Sequence, residues 1–168
     1  MPHPYPPHWS AIDYTGRHQY SLTFATDARR AVFIDGEIVD LALRQILRAG
    51  TEKRFVVLAY CFMPDHLHLV VGGVADDSDC KSYIKAAKQY SAYYYKKQRQ
   101  HRLWQRYGHD RVIRDEQELA MTLRYVIANP VRAGLAAHPV DYPFLGSQKY
   151  TVQELLEWCE YSDAIVLG

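Results

Sequence analysis

The sequence has 168 residues, of which 48% are hydrophobic and 23% charged, a composition typical of a globular domain. No apolar run approaches the ~20 residues that a membrane-spanning helix needs, and the first residues lack the features of a signal peptide. Three cysteines without Cys-x-x-Cys spacing indicate reduced thiols, as in the cytoplasm. We expect one cytoplasmic domain over residues 1–168, with a core at about 18–147 and peripheral tails at 1–17 and 148–168.

The charges are unevenly distributed, although the net charge is only +1. Lys81–Arg114 contains five lysines, five arginines and one aspartate, so it carries +9 and leaves −8 for the rest of the chain. An asymmetry of this kind predicts that one face of the protein contacts a polyanion.

The first predicted elements are a strand and a helix. Tyr20–Thr26 alternates and is rich in strand-forming residues, so we predict a strand. Ala31–Ile34 is read as a short apolar turn leading into a helix over Gly36–Ala49, which Gly50 is expected to end. The helix is indicated by apolar residues at helical spacing: Val39, Ala42, Leu43, Ile46 and Leu47.

A hairpin with a His-x-His motif is predicted next. Phe55–Phe62 indicates a buried strand, Met63–Asp65 a turn, and the residues from His66 onward a second strand. Because strand side chains alternate, His66 and His68 point to one face. The other face carries core residues, namely Leu67, Leu69 and Val71.

Two imidazoles on one face can bind a divalent metal ion. The motif alone is weak, since a pair of surface or hydrogen-bonded histidines is the more common explanation. A third ligand and a reactive group elsewhere would favour the metal site.

A long helix is predicted over Asp79–Gln100, with tyrosines and lysines on separate faces. It is either a core-packed helix with a solvated basic face or a helix that binds a phosphate backbone. The near absence of acidic residues favours nucleic acid. A short strand around Arg111–Ile113 follows. We expect the residues that bind nucleic acid to be Lys81, Lys85, Lys88, Lys96, Arg99, Arg106, Arg111 and Arg114.

The last well-defined helix begins after Asp115 and is expected to end at Asn129, because Pro130 follows. Tyr125 and Asn129 are one turn apart and off the apolar stripe. By itself, Tyr125 is explained by a packed ring with a solvated hydroxyl, and Asn129 by helix capping. The stripe consists of Leu119, Leu123, Val126 and Ile127.

Several motifs together resemble a known family. Tyr60–Val70 is similar to the His-hydrophobic-His motif of the single-tyrosine HUH transposases. Leu103–Tyr107, Asp110–Asp115 and Leu123–Leu135 resemble the REP-associated tyrosine transposases, and Asp141–Phe144 with Ser147 continues the resemblance. The motifs occur in the right order and at the right separations, over roughly residues 20–147.

The resemblance implies an α+β fold, a ferredoxin-like (RRM-like) sandwich whose antiparallel sheet presents the His-x-His motif with helices packed on it. It implies that Tyr125 is the nucleophile and that His66 and His68 are metal ligands. Asn129 stands where the insertion-sequence branch has a glutamine as third ligand, and Glu118 is a weaker substitute two turns from Tyr125. Either Mg²⁺ or Mn²⁺ suits these ligand types.

The function implied is a metal-dependent endonuclease and strand-transferase for single-stranded or hairpin-forming DNA, acting through a 5′-phosphotyrosine. The protein would be a monomer or homodimer, cytoplasmic and nucleoid-associated when bound to DNA, with no membrane partner. Two alternatives stay open: a non-catalytic single-stranded nucleic-acid-binding module, and a metal-dependent phosphodiester hydrolase in which water attacks.

Overall fold

The computed structural model describes residues 14–162, which form five strands and four helices. In chain order these are β1 (Gln19–Ala25), α1 (Gly36–Lys53), β2 (Phe55–Met63), β3 (His66–Gly73), α2 (Cys80–Arg99), β4 (His109–Ile113), α3 (Glu116–Arg132), β5 (Leu145–Gly146) and α4 (Val152–Trp158). Short 3₁₀ turns occur at Asp27–Arg29 and Pro139–Asp141.

The strands form one antiparallel sheet in the order β4–β1–β3–β2–β5. The predicted hairpin is present, with Met63 of β2 opposite His66 of β3 and Cys61 opposite His68. Helices α1 and α2 pack on one face of the sheet, and α3 and α4 pack on the other. The predicted α+β fold, with an antiparallel sheet that carries the His-x-His motif, is confirmed.

The side chains of β3 alternate between the two faces of the sheet, as expected. Leu67, Leu69 and Val71 are fully buried in the core formed with α1 and α2. Val70 lies in the second core, beneath α3, and the two histidines project to that same face because they alternate with the leucines. The face that presents the histidines is therefore the face that α3 covers.

The prediction that Gly50 ends α1 was wrong, because the helix continues to Lys53 and is capped by Arg54 in the left-handed region. A Cβ on Gly50 would lie 2.8 Å from the carbonyl oxygen of Phe55. The missing side chain lets α1 pass close to the first residue of β2. Close packing, rather than helix termination, explains this glycine.

The prediction that α3 ends at Asn129 was also wrong, since the helix continues through the buried Pro130 to Arg132. Proline removes one backbone hydrogen bond, but its φ angle is compatible with a helix. The amide of Ala133 donates to the Asn129 carbonyl oxygen at 2.9 Å, and Gly134 follows with a φ of 72°. The additional turn places Arg132 two turns beyond Tyr125 and on the same face of the helix.

Residues 148–162, which we expected to be peripheral, contribute α4. Thr151 caps this helix in a capping box with Glu154, and Leu155 and Leu156 are buried in the core beneath α3. This part of the chain thus helps to hold the helix that carries Tyr125. The rest of the two expected tails, residues 1–13 and 163–168, lies outside the described residues.

The cysteines follow the expectation of reduced thiols. Cys61, Cys80 and Cys159 are free and buried, and burial raises the pKa of the Cys61 thiol to about 12. Over residues 14–162, no helix is long and apolar enough to cross a membrane.

Candidate active site

Strand β3 places the two histidine side chains next to each other on the sheet face that α3 covers. His66 is half-buried and His68 is 9% exposed. Their rings meet edge to face with centroids 4.8 Å apart, and the two Nε2 atoms are 3.1 Å apart. The same-face arrangement predicted from the His-x-His spacing is what the structure shows.

Each Nδ1 atom faces a polar side chain. His66 Nδ1 lies 2.7 Å from Asp65 Oδ1, and His68 Nδ1 lies 3.2 Å from Thr23 Oγ1 of the neighbouring strand β1. A carboxylate only accepts hydrogen bonds, so Nδ1 of His66 carries a proton, and in the neutral ring Nε2 then has a lone pair. The Thr23 hydroxyl can accept from His68 Nδ1, and in that tautomer both Nε2 lone pairs are directed into one space. Two facing lone pairs suit a shared cation.

The surroundings of His68 favour its neutral form. Burial, followed by the nearby charges of His66 and Arg132, lowers the pKa of His68 to about 4. A neutral imidazole is the form that binds metal ions. His68 is therefore ready to act as a ligand across the neutral pH range.

Asp65 is itself held in place by the turn that follows β1. Its Oδ2 atom lies 3.1 Å from Arg29 Nε, and its carbonyl oxygen accepts hydrogen bonds from the amide and hydroxyl of Thr26, both at 3.0 Å. Partial burial raises the pKa of Asp65, but the hydrogen bond to His66 and the charge of Arg29 leave it below its ordinary value. Ala28 and Arg29 both have φ near 54°, a region uncommon for residues with side chains. The strained turn thus braces the carboxylate that orients His66.

Tyr125 reaches this site from α3. Its ring lies edge-on to the ring of His68, with centroids 5.8 Å apart and an interplanar angle of 87°. The side chain is half exposed, so its hydroxyl is accessible to a large substrate. Arg132 places its guanidinium carbon 4.7 Å from the centroid of the same ring. The structure therefore brings together a tyrosine, two histidines and an arginine.

Asn129 follows Tyr125 by one turn, and its side chain has an unused polar atom. The Nδ2 atom is buried and, among the described residues, has no hydrogen-bond partner. The nitrogen and oxygen of an amide exchange places by a half-turn of the terminal torsion. The position can therefore present an oxygen ligand instead.

These donors fit a divalent ion. Within residues 14–162, no cluster of three or more His, Cys, Asp or Glu side chains could hold a metal. Imidazole nitrogens and an amide oxygen are nevertheless ligand types that suit such an ion, and substrate oxygens and water could complete its coordination. The Glu118 carboxylate, the weaker alternative ligand, pairs with Arg111 and accepts from the Arg114 amide at 2.9 Å.

Comparisons with known proteins assign the family. The family model described as "Transposase IS200 like" matches residues 14–129, which include both histidines, Tyr125 and Asn129. This match covers more than half of the chain. The protein belongs to the IS200-like transposase family.

A relative with a family name agrees with the assignment. A Haemophilus influenzae protein named "Putative REP-associated tyrosine transposase" is 31% identical in an alignment 109 residues long, which covers 54% of this chain and 57% of that protein. The match thus spans just over half the length of that relative.

Two solved structures share the fold. A REP-associated tyrosine transposase bound to a REP hairpin superposes with a TM-score of 0.69 at 20% identity, over 79% of this chain and 78% of that one. A candidate transposase from Deinococcus radiodurans superposes with a TM-score of 0.52 at 24% identity, over 67% and 91% of the two chains. Both likenesses establish the fold of the IS200-like chain described here.

The basic residues of this IS200-like transposase do not form one surface. Helix α2, which carries Lys81, Lys85 and Lys96, packs on the sheet face opposite to the histidines. Strand β4, which carries Arg111, lies at the sheet edge beside β1. DNA that contacts both α2 and the histidines would have to pass around that edge.

Several of these basic side chains already have partners inside the protein. Lys88 Nζ donates to the carbonyl oxygens of Gln105 and Arg106, at 2.8 and 3.3 Å, and its burial lowers its pKa. Arg99 pairs with Asp35 at 2.6 Å. Lys88 therefore ties α2 to the segment that follows it.

Sequence reasoning missed four residues of the site: Thr23, Arg29, Asp65 and Arg132. Asp65 was assigned only to the turn before β3, although its place next to His66 in the sequence was a usable signal. Thr23 contacts His68 only through the pairing of β1 with β3, which the sequence does not specify. Arg29 depends on an unusual turn. Arg132 could have been found, since it lies seven residues after Tyr125, but the expected helix end at Asn129 excluded it.

Proposed function

We propose that this protein is a metal-dependent single-stranded DNA endonuclease and strand-transferase with Tyr125 as its nucleophile. The observation that carries the proposal is the position of the half-exposed Tyr125 ring, edge-on to His68 at 5.8 Å, beside two facing Nε2 atoms. Membership of the IS200-like transposase family supports the same activity.

The covalent step follows from the chemistry of a phenol and a phosphodiester. The hydroxyl oxygen of Tyr125 bonds to phosphorus, the bond from phosphorus to the 3′-oxygen breaks, and a 5′-phosphotyrosine results. The phenol proton is released, and the departing 3′-oxygen takes up a proton to become a hydroxyl. The energy of the phosphodiester is retained, so reversal with a new 3′-hydroxyl joins strands without a nucleotide cofactor.

The ligands for the metal would be Nε2 of His66, Nε2 of His68 and the amide oxygen of Asn129. Mg²⁺ or Mn²⁺ bound there would supply Lewis-acid polarisation of the scissile phosphate. Asp65 and Thr23 contribute by fixing both rings with Nε2 toward the substrate. Burial keeps His68 neutral for this task.

The proposed substrate is hairpin-forming repeat DNA. The solved structure with the same fold holds a REP hairpin, and the Haemophilus influenzae relative carries the REP-associated name. We propose that phosphates along the strand are contacted by basic side chains of α2, β4 and their connections, namely Lys81, Lys85, Lys96, Arg99, Arg106, Arg111 and Arg114. Lys88, which was expected among them, instead binds the backbone carbonyl oxygens of Gln105 and Arg106.

Incubation with end-labelled hairpin DNA, with divalent metal or with chelator, tests the proposal. We expect a protein–DNA adduct that survives a denaturing gel and forms only with metal. A non-catalytic binding module would leave the DNA intact. A hydrolase that uses water would cleave the DNA without forming an adduct at any time point.

A further inference from the structure

Arg132 lies at the site, but the proposed metal ligands and nucleophile leave it without a role. Its guanidinium carbon lies 4.7 Å from the centre of the Tyr125 ring, and the side chain is exposed. Among residues 14–162, no carboxylate lies within ion-pair distance of Arg132. The charge is therefore placed beside the nucleophile without an acidic partner from the described part of the chain.

Arg132 reaches the site because helix α3 continues past a proline. Helix α3 continues through Pro130, and the two residues beyond it return the chain to the face that Tyr125 occupies. The contact with the Tyr125 ring thus places the guanidinium beside the proposed nucleophile.

We propose that Arg132 is a further catalytic residue that binds a non-bridging oxygen of the scissile phosphate. This inference rests on the proposed function, because it requires the phosphate to lie between Tyr125 and the two histidines. A guanidinium presents two parallel N–H groups that match two phosphate oxygens. It stays protonated throughout and therefore takes no part in the proton transfers.

The role follows from the charge balance of the step. As the Tyr125 oxygen bonds to phosphorus and the 3′-oxygen departs, the non-bridging oxygens keep their negative charge, which repels the electron-rich oxygen that attacks phosphorus. A fixed cation beside the phosphate lowers that repulsion. The ring of Tyr125 lies against the guanidinium, so the cation and the nucleophile are positioned together.

Two simpler roles predict different behaviour. Arg132 lies in the last turn of α3, where any cation interacts favourably with the helix dipole, so lysine would replace it fully. Alternatively, Arg132 only packs against the Tyr125 ring, in which case its effect would not depend on the charge of the phosphate.

The experiment compares hairpin DNA that has a normal scissile phosphate with the same hairpin carrying a neutral methylphosphonate at the mapped cleavage position. Adduct formation is measured in single turnovers at saturating DNA and metal, for wild type, Arg132→Ala, Arg132→Gln and Arg132→Lys. Arg124→Ala is the matched control, since Arg124 lies on the same helix but lines a different cavity with Glu116 and Trp158. Thermal unfolding and hairpin affinity are measured for every variant.

On the normal phosphate we expect Arg132→Ala and Arg132→Gln to form adduct roughly 10²–10³-fold more slowly, with hairpin affinity nearly unchanged. Arg132→Lys should recover only part of the rate, and Arg124→Ala should match wild type. On one methylphosphonate stereoisomer the difference between wild type and Arg132→Ala should fall below about tenfold, because the charge that Arg132 offsets is gone.

An unchanged difference on both stereoisomers, or a full rate with Arg132→Lys, would overturn the role of Arg132 while the proposed function stands. A wild-type protein that never forms an adduct would overturn both. The two failures are distinguished by the wild-type reaction on the normal phosphate.

Discussion

The ring of Tyr125 stands edge-on to the ring of His68, with the centroids 5.8 Å apart. The two residues come from different elements, since His68 is on the central strand β3 and Tyr125 is on helix α3. Neither element contains a complete site by itself. Packing of α3 on the sheet creates the site, and residues of α4 buried in the same core help to hold that helix in place.

Removal of either imidazole should abolish cleavage. In His66→Ala or His68→Ala we expect no adduct, while the affinity for hairpin DNA stays within about tenfold of wild type, since the ion acts on one phosphate among many. Asn129→Ala should raise the metal concentration needed for half-maximal rate, because it removes one ligand of three. Cleavage and filter-binding assays over a Mn²⁺ titration measure both quantities.

His101→Ala is the control for these variants, because His101 is exposed and lies beyond the end of α2. It should behave as wild type. Full cleavage in chelator by the double variant His66→Ala, His68→Ala would show that the reaction does not need the proposed metal site.

Asp65 should matter for metal affinity although it is not a ligand. Asp65→Ala removes the acceptor that holds Nδ1 of His66 at 2.7 Å, so the ring can turn and change tautomer. We expect Mn²⁺ binding, measured by calorimetry, to weaken by roughly 10–100-fold. Asp76→Ala removes a surface carboxylate whose ion-pair partner within residues 14–162 is Arg17, and it should leave the affinity unchanged. Equal affinities for the two variants would mean that Asp65 does not orient His66.

The imidazole of His68 should titrate well below the ordinary value of about 6.5. Burial and the charges of His66 and Arg132 lower the pKa of His68 to about 4, so the ring should stay neutral as the pH falls through 6 and 5. Long-range nitrogen–proton NMR on the metal-free protein measures this value directly. Arg132→Ala should raise it, because one of the nearby positive charges is removed. A midpoint near 6.5 in the wild type would show that the ring is more solvated than the structure indicates.

The basic face of α2 should contribute to the salt dependence of DNA binding if the strand passes around the sheet edge. Neutralising Lys81, Lys85 and Lys96 to glutamine should reduce the slope of log affinity against log salt by up to about 2. Lys88 is left intact because its ammonium group holds the backbone carbonyls of Gln105 and Arg106. An unchanged slope would mean that this face of α2 only contacts solvent.

Much of the fold could be predicted because burial of one face gives a strand or a helix a regular pattern of apolar residues. Alternation in β3 put His66 and His68 on one face, and the apolar stripe of α3 identified its buried side. The two helix ends were predicted wrongly at Gly50 and Pro130, where tertiary packing overrides local preference.

The site could be predicted less completely, because part of it depends on contacts between distant segments. Thr23 meets His68 through strand register, and Arg29 meets Asp65 through a strained turn. Arg132 depends on the continuation of α3 beyond proline. Contacts between such distant segments leave no periodic signal in the sequence.

The measurement that tests the central claim most directly is adduct formation by Tyr125→Phe, compared with Tyr94→Phe on α2. Phenylalanine keeps the ring beside His68 and removes only the attacking oxygen, so stability and hairpin affinity should stay near wild type. We expect Tyr125→Phe to form no adduct, and Tyr94→Phe to form it at the wild-type rate. An adduct formed by Tyr125→Phe, or its continued cleavage of DNA without any adduct, would contradict the assignment of Tyr125 as the nucleophile.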